Sequence, residues 1–202
     1  MAADIAYHRN KFLRRGFDRG INLWGADHHG HVARMQAAME ACGISKDRLQ
    51  IVLFQLVRLY KNGEIARMSK RTGRAITLGD LLDDVGVDAA RFFFNLKTSG
   101  SHLDFDMDLA VEQSNNNPVF YVQYAHARIC NILKKLAEEN IVRAPIEQVD
   151  MTRLVQPEEI ALMKRLAQYP EEMALSAQTL EPSRLTRYVM DVASDFHSFY
   201  NA

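Results

Sequence analysis

Between Arg67 and Leu78 the chain reads Arg-Met-Ser-Lys-Arg-Thr-Gly-Arg-Ala-Ile-Thr-Leu, a stretch where charge, small hydroxyls and a glycine agree on one chemistry. Four cations, Arg67, Lys70, Arg71 and Arg74, surround Gly73, with Ser69 and Thr72 between them. Such a loop suits polyphosphate: hydroxyls and backbone N–H groups donate hydrogen bonds, the cations balance charge, and glycine lets the backbone come close. A solvated basic turn between two strands is the plain alternative, which the residues alone leave open.

A second polar cluster lies at Gly25-Ala26-Asp27-His28-His29-Gly30-His31. Three histidines and a carboxylate within five residues invite a metal site, yet no cysteine or further histidine pair lies nearby to complete a tetrahedral shell. A polar cradle for a ribose and a small substrate fits the same residues, using the amides at the start of a following helix. A capped helix start is the third reading.

The elements needed to position these clusters are legible. Ile21 to Trp24 is a short apolar run ending at Gly25, and Val32, Met35, Met39 and Cys42 then repeat on one helical face that Gly43 closes. The nearly uninterrupted apolar run Ile51 to Val57 suits a strand covered on both faces, giving a β-α-β unit whose first loop faces the ligand-binding end of a parallel sheet. Leu78 to Gly86 and Val87 to Lys97 read as two helices, and Phe92, Phe93 and Phe94, which cannot share one face, predict burial on most sides. Asp104, Asp106 and Asp108 read as an extended acidic connector, since the glycine and terminal glutamate of a calcium hand are missing.

From Leu109 onward the pattern is helical. Val119, Val122, Ala125 and Ile129 form a stripe continued by Ile132, Leu133 and Leu136, opposite a polar face with Gln123, His126 and Lys134. Arg143 to Gln156 is a linker. Ile160 to Leu166, Met173 to Leu180 and Leu185 to Tyr200 are three further amphipathic segments, so the second half is expected to be a helix bundle.

Composition bounds the function classes. The 202 residues, 48% of them hydrophobic, carry 25 basic and 25 acidic side chains, so no whole-chain charge announces nucleic acid. The positive field is local: residues 61 to 78 hold five cations against Glu64. Cys42 and Cys130, each among apolar neighbours, are expected to be buried thiols of a cytoplasmic protein. No apolar run approaches the roughly 18 residues of a membrane span, and no signal-peptide pattern opens the chain. Both ends read as cut, with a helical pattern already running at Ile5, His8 and Phe12 and another still running at Tyr200.

Trp-Gly-Ala-Asp-His-His-Gly-His at 24 to 31, Arg-Met-Ser-Lys-Arg-Thr-Gly at 67 to 73, Leu-Leu-Asp-Asp-Val-Gly-Val-Asp-Ala-Ala-Arg-Phe-Phe-Phe at 81 to 94 and Asn-Asn-Asn-Pro-Val-Phe-Tyr-Val-Gln-Tyr-Ala-His-Ala-Arg at 115 to 128 together resemble bacterial arginyl-tRNA synthetase, a class I aminoacyl-tRNA synthetase. Phe-His-Ser-Phe-Tyr-Asn at 196 to 201 is similar to a later helix of that family. The resemblance implies an α/β plus all-α chain: the second half of a Rossmann-type nucleotide-binding domain over 1–108, with a mobile phosphate loop, joined to an α-helical anticodon-binding bundle over 109–202.

It also implies the chemistry. Arginine attacks the α-phosphate of ATP, releasing pyrophosphate, and the arginyl group then passes to the terminal adenosine of its tRNA. Met68, Ser69, Lys70 and Arg71 match the loop that closes over the ATP phosphates, with Lys70 stabilising the charge that builds on pyrophosphate, Ser69 and Arg71 assisting, and Gly63 and Gly73 as hinges. Asp4 matches the aspartate that reaches the substrate guanidinium, although a helix-cap carboxylate fits it equally. His28 matches a position lining the same pocket, and Gly25, Asp27 and His31 match the part facing ATP and substrate. Tyr121, Tyr124, His126 and Arg128 match tRNA-facing positions, while Tyr121 and Tyr124 fit a core role at least as well. ATP would come with Mg2+ as its counterion, and no protein-bound metal, membrane or DNA is expected.

The chain departs from the family's pattern in two places. The tyrosine four residues before the matched aspartate falls outside the sequence, and the family's upstream His-x-Gly-His-type turn, which holds ATP with the basic loop, is expected to be missing from the 202 residues. Half an ATP site is therefore expected, and with it an inactive isolated chain. A non-catalytic RNA-binding or interaction module derived from a synthetase is the rival reading, and another adenylate-forming enzyme of the same fold is a third.

Overall fold

The computed structural model describes residues 2–66, 76–142 and 144–202. It divides into two compact units, Met1–Arg58 with Lys97–Asp104, and Leu59–Leu96 with Phe105–Ala202. Among the described residues no helix is long and apolar enough to cross a membrane.

The first unit is built on a parallel pair of strands. Helix α1 (Ala2–Arg9) runs into a wider turn over Asn10–Arg14, and β1 (Gly20–Gly25) leads through a short turn at Ala26–His28 into α2 (His29–Ala41). After α2 the chain returns as β2 (Leu49–Phe54), paired in parallel with β1 from Gly20 opposite Leu49 to Gly25 opposite Phe54. Met35 and Met39, one turn apart on α2, are fully buried with Phe12, Ile44 and Leu49, and Ile5, Trp24 and Ile51 pack around them. The apolar run Ile51 to Val57, expected to be one strand covered on both faces, is divided: the Gln55 amide donates to the Ser99 carbonyl at 3.1 Å, and β3 starts at Val57. Ile21 and Leu23 remain 44% and 66% exposed, so one face of the sheet is open.

Asn22 is the one polar side chain buried on β1, and a network explains it. Its amide nitrogen donates to His8 Nε2 at 2.7 Å, its amide oxygen accepts from Lys11 Nζ at 3.3 Å, and His8 Nδ1 reaches the Asp4 carbonyl at 2.7 Å. The carbonyl can only accept, so the His8 proton sits on Nδ1 and Nε2 is left free to accept from Asn22. This ties α1 to β1 and places Asp4 in the first turn of α1.

In the second unit, β3 (Val57–Lys61) and β4 (Glu64–Ile65) form a hairpin closed by Asn62-Gly63, with φ of 55° and 74°. An Asn-Gly pair with both φ positive is the turn that matches strand twist. Gly63, expected as a hinge of the basic loop, is thus occupied by a hairpin. The strand order is β4-β3-β5, with β5 at Leu103–Asp106, and the division between units falls within β3 and within β5.

Helix α3 (Leu78–Val85) opens on a capping box in which Thr77 Oγ1 accepts the Asp80 amide at 3.2 Å and Asp80 accepts the Thr77 amide at 3.0 Å. At Gly86, φ +81°, the chain turns into α4 (Val87–Phe94). Of the three phenylalanines only Phe93 is buried; Phe94 is 37% exposed and both pack on Phe105. The acidic connector is a strand and a cap: Asp104 pairs with Arg58 at 2.8 Å, Asp106 accepts the Asp108 and Leu109 amides of α5 (Met107–Val111) at 3.0 Å, and Asp108 accepts the Asn62 amide.

Asn117 launches α6 (Pro118–Glu138) by accepting the Val119 amide and donating to the carbonyls of Ala110 and Glu112. Helices α7 (Pro157–Ala167), α8 (Tyr169–Thr179) and α9 (Ser183–Asn201) complete the bundle. Ala125 of α6 buries against Ala193 and Phe196 of α9, with Tyr121, Val122, Ile132 and Leu162 around them. Ile129 and Leu133, read as part of the buried stripe, are 38% and 42% exposed. Cys130 is likewise exposed and Cys42 half-buried, so the expectation of two buried thiols fails outright at Cys130.

Candidate functional sites

In the first unit the end of β1, the turn after it and the start of α2 enclose a cavity of about 600 Å³, lined by Asp4, Trp24, Asp27, His28, Gly30, His31 and Arg34. Its wall is aromatic: the Trp24 ring lies 5.4 Å from that of His31 and 6.4 Å from that of His28. His28 Nε2 stands 3.7 Å from Asp27 Oδ2, both side chains largely exposed. A Cβ at Gly25 would collide with Asp27 Oδ1, so glycine there is what allows the carboxylate to fold back over the strand end.

Asp4, Asp27, His28 and His31 are thus brought to one cavity, with Gly25 at its edge. Two carboxylates and an arginine around an aromatic wall suit a small zwitterionic or cationic ligand with a polar partner. Arg34, not among the expected site residues, joins them because it lies one helical turn after His31 and shares its face. Among the described residues no three His, Cys, Asp or Glu side chains converge as a metal site. Contrary to the expectation that it is missing, a His-x-Gly-His spacing is present at His28-His29-Gly30-His31, at the turn from β1 into α2. Met68, Ser69, Lys70 and Arg71 lie outside the described residues.

A second constellation lies in the other unit, between α6 and α9. The Arg128 guanidinium carbon stands 4.5 Å from the Tyr124 ring centroid and 4.6 Å from that of Tyr200. Its Nη2 donates to Tyr124 Oη at 3.1 Å and its Nη1 faces His197 Nδ1 at 3.3 Å. Phe120 stacks parallel to Tyr124, the ring centroids 6.1 Å apart. Tyr124 and Tyr200 are 40% and 48% exposed, so the array opens to solvent, beside a cavity of about 300 Å³ lined by Arg128, Asn131, Lys134, Lys135 and Tyr200 among others. Exposed aromatic rings with an interleaved guanidinium and flanking lysines fit nucleobases and phosphates.

Tyr124 and Arg128 therefore meet, whereas His126 turns to Cys130, whose sulfur is 3.6 Å from its Nε2. His197 and Tyr200 belong to the 196–201 stretch that is similar to a later helix of the family, with no role implied for either. Their partnership with Arg128 depends on how α9 packs on α6, which no local spacing encodes.

The model of the DALR anticodon binding domain matches residues 122–202. An arginine–tRNA ligase from Acetivibrio thermocellus is 71% identical over 201 residues, and one from Ruminiclostridium cellulolyticum 68% identical over 201 residues. Each match covers 100% of this chain and 36% of the relative, so the chain spans about a third of the length of the curated relatives it matches. A crystal structure from Campylobacter jejuni, described as an arginyl-tRNA synthetase, superposes with a TM-score of 0.84 at 34% identity, covering 99% of this chain and 43% of that one. The Thermus thermophilus arginyl-tRNA synthetase shares the fold, with a TM-score of 0.70 at 22% identity over 92% of this chain and 33% of that one.

Proposed function

We propose that this chain, which belongs to the arginyl-tRNA synthetase family, forms the part of an arginine–tRNA ligase that contributes to the arginine and ATP pocket and carries helices of the tRNA-binding bundle. Residues 1–108 are read as the second half of a Rossmann-type catalytic domain, a reading that the parallel β1–α2–β2 unit supports. Residues 109–202 are read as the anticodon-binding bundle. The protein works in the cytoplasm on arginine, ATP with its Mg2+ counterion, and tRNA.

In this reading the cavity in the first unit receives the amino acid. Asp4 offers the substrate guanidinium a planar, charged acceptor, His28 lines the pocket, and Gly25, Asp27 and His31 face ATP. The arginine carboxylate attacks the α-phosphate, the bond to pyrophosphate breaks, and Lys70, with Ser69 and Arg71, stabilises the leaving charge while Met68 lies in the same closing loop. A hydroxyl of the terminal adenosine then displaces AMP from the arginyl adenylate. Tyr124 and Arg128 meet the tRNA, with His126 on the neighbouring face of α6.

The observation that carries this reading is the 71% identity that runs through both units, so that the cavity and the helix pair fall within one match. It is tested by a chimera in which these 202 residues replace the matching stretch of the Acetivibrio thermocellus ligase. The chimera is expected to charge tRNA with arginine and to exchange pyrophosphate into ATP, and the chain alone to do neither. A folded chimera that binds tRNA without activating arginine would favour the non-catalytic module, and robust arginylation by the chain alone would overturn the shared-site reading.

A further inference from the structure

We propose that His197 is a positioning residue that holds the Arg128 guanidinium in its tRNA-facing orientation, a role that rests on the reading of Arg128 as a tRNA contact. His197 is 8% exposed and sits on α9 with its ring against α6, 4.7 Å from the Tyr121 ring and 5.7 Å from that of Tyr124. Its two nitrogens face different partners. Nδ1 lies 3.3 Å from Arg128 Nη1, and Nε2 lies 3.5 Å from the Tyr121 carbonyl oxygen.

The chemistry of those partners assigns the tautomer. A guanidinium has five donors and no acceptor, so Nδ1 carries the lone pair that receives the Arg128 N–H. A carbonyl only accepts, so the proton is on Nε2 and points along the longer, weaker contact to Tyr121. The Phe196 and Tyr121 rings fix the imidazole plane, and the plane in turn fixes where Nδ1 points.

Arg128 needs this second anchor. Tyr124, four residues earlier on the same helix, offers a ring face and a hydroxyl oxygen that accepts from the guanidinium, but both move with α6. An arginine side chain gives up rotamer freedom when it is ordered. His197 reaches it from the other helix, and Tyr200, three residues after His197 on α9, brings its ring to 4.6 Å from the guanidinium carbon. The guanidinium is thereby ordered before any ligand arrives, with donors left over for a phosphate or base edge, and the ordering cost is met in the fold and not at binding.

The test measures tRNA affinity of the ligase chimera with four variants. Arg128→Met removes the cation. His197→Phe keeps a ring and removes the acceptor. His197→Asn restores an acceptor oxygen at the position of Nδ1, and the fourth variant combines Arg128→Met with His197→Phe. His197→Phe is expected to weaken tRNA binding about tenfold, His197→Asn to recover most of that loss, and His197→Phe to add nothing in the Arg128→Met background. Equal losses in His197→Phe and His197→Asn, or a loss of undiminished size without Arg128, would overturn the positioning role. Unchanged binding in Arg128→Met would instead remove Arg128 from the tRNA interface. If His197→Phe does not fold, His197→Gln, with its polar atom near the Nε2 position, replaces it under the same expectations.

Discussion

Tyr188 of α9 donates its hydroxyl to the backbone carbonyl of Arg165 on α7 at 3.0 Å, while the Arg165 side chain runs the other way, to Asp195 at 3.0 Å and Asp191 at 3.5 Å on α9. Two residues thus cross-link one helix pair in opposite directions. Partial burial pushes the Tyr188 phenol above its ordinary value, with the Arg165 charge pulling back, and the hydrogen bond to Asp195 holds Arg165 protonated.

The alkaline stability of the bundle should report this pair. A phenol whose folded value is raised contributes stability that is fully present below its unfolded value of about 10 and is lost as pH rises through the higher folded one. Tyr188→Phe removes one hydrogen bond, about 0.5–1.5 kcal/mol at neutral pH, and makes stability fall less steeply above pH of about 10. Urea melts at neutral and alkaline pH measure both, and parallel curves for the two proteins would contradict the assignment.

Asn22 tests the polar network under the first unit. Asn22→Leu fits the apolar strand but leaves His8 Nε2 without its donor in a site where His8 is 3% exposed. A cost of about 1–3 kcal/mol follows from stranding a buried acceptor. Chemical denaturation checks it; a stability equal to the parent would mean that the network contributes nothing net.

Two glycines at the ends of β1 separate stability from binding. A Cβ at Gly20 would lie 2.7 Å from Phe12 Cζ, a ring that is 3% exposed and packed against the core methionines, so Gly20→Ala is expected to cost about 1–3 kcal/mol. At Gly25 the Cβ meets Asp27 Oδ1, the end of an exposed side chain that can swing away. Gly25→Ala should therefore melt close to the parent while arginine and ATP binding to the ligase chimera weaken, as calorimetry would register. Equal melting losses for the two would show that the strand ends are equivalent.

How much of this was legible differs element by element. The β-α-β unit, the helices after Leu78 and the three closing helices follow from strong periodicities punctuated by Gly25, Gly43 and Gly86. The break at Gln55 was not legible, because apolar residues continue through it and the carbonyl that accepts its amide belongs to Ser99, far along the chain. Asn22 lies inside the run Ile21 to Trp24, read as apolar, and its justification lies on α1, out of reach of local spacing. The cavity residues at 25 to 31 were visible as a cluster because they are local. His197 and Tyr200 were not, because helical spacing shows which face a residue occupies and not which distant guanidinium it meets.

The basic loop makes the last prediction. Lys70 lies outside the described residues, and its proposed role rests on the resemblance and on electrostatics. As arginine attacks ATP, negative charge grows on the departing pyrophosphate, and an ammonium placed there stabilises the transition state more than bound ATP. Lys70→Ala in the ligase chimera should therefore lower the rate of pyrophosphate exchange about 10²–10³-fold, in kcat more than in the KM for ATP, with arginine binding nearly unchanged. Lys70→Arg keeps the charge but spreads it over a planar fork, and should recover only part of the rate. Stopped-flow and exchange measurements distinguish these cases: an effect confined to KM would make Lys70 a ground-state phosphate contact, and an unchanged exchange rate would take it out of the chemistry altogether.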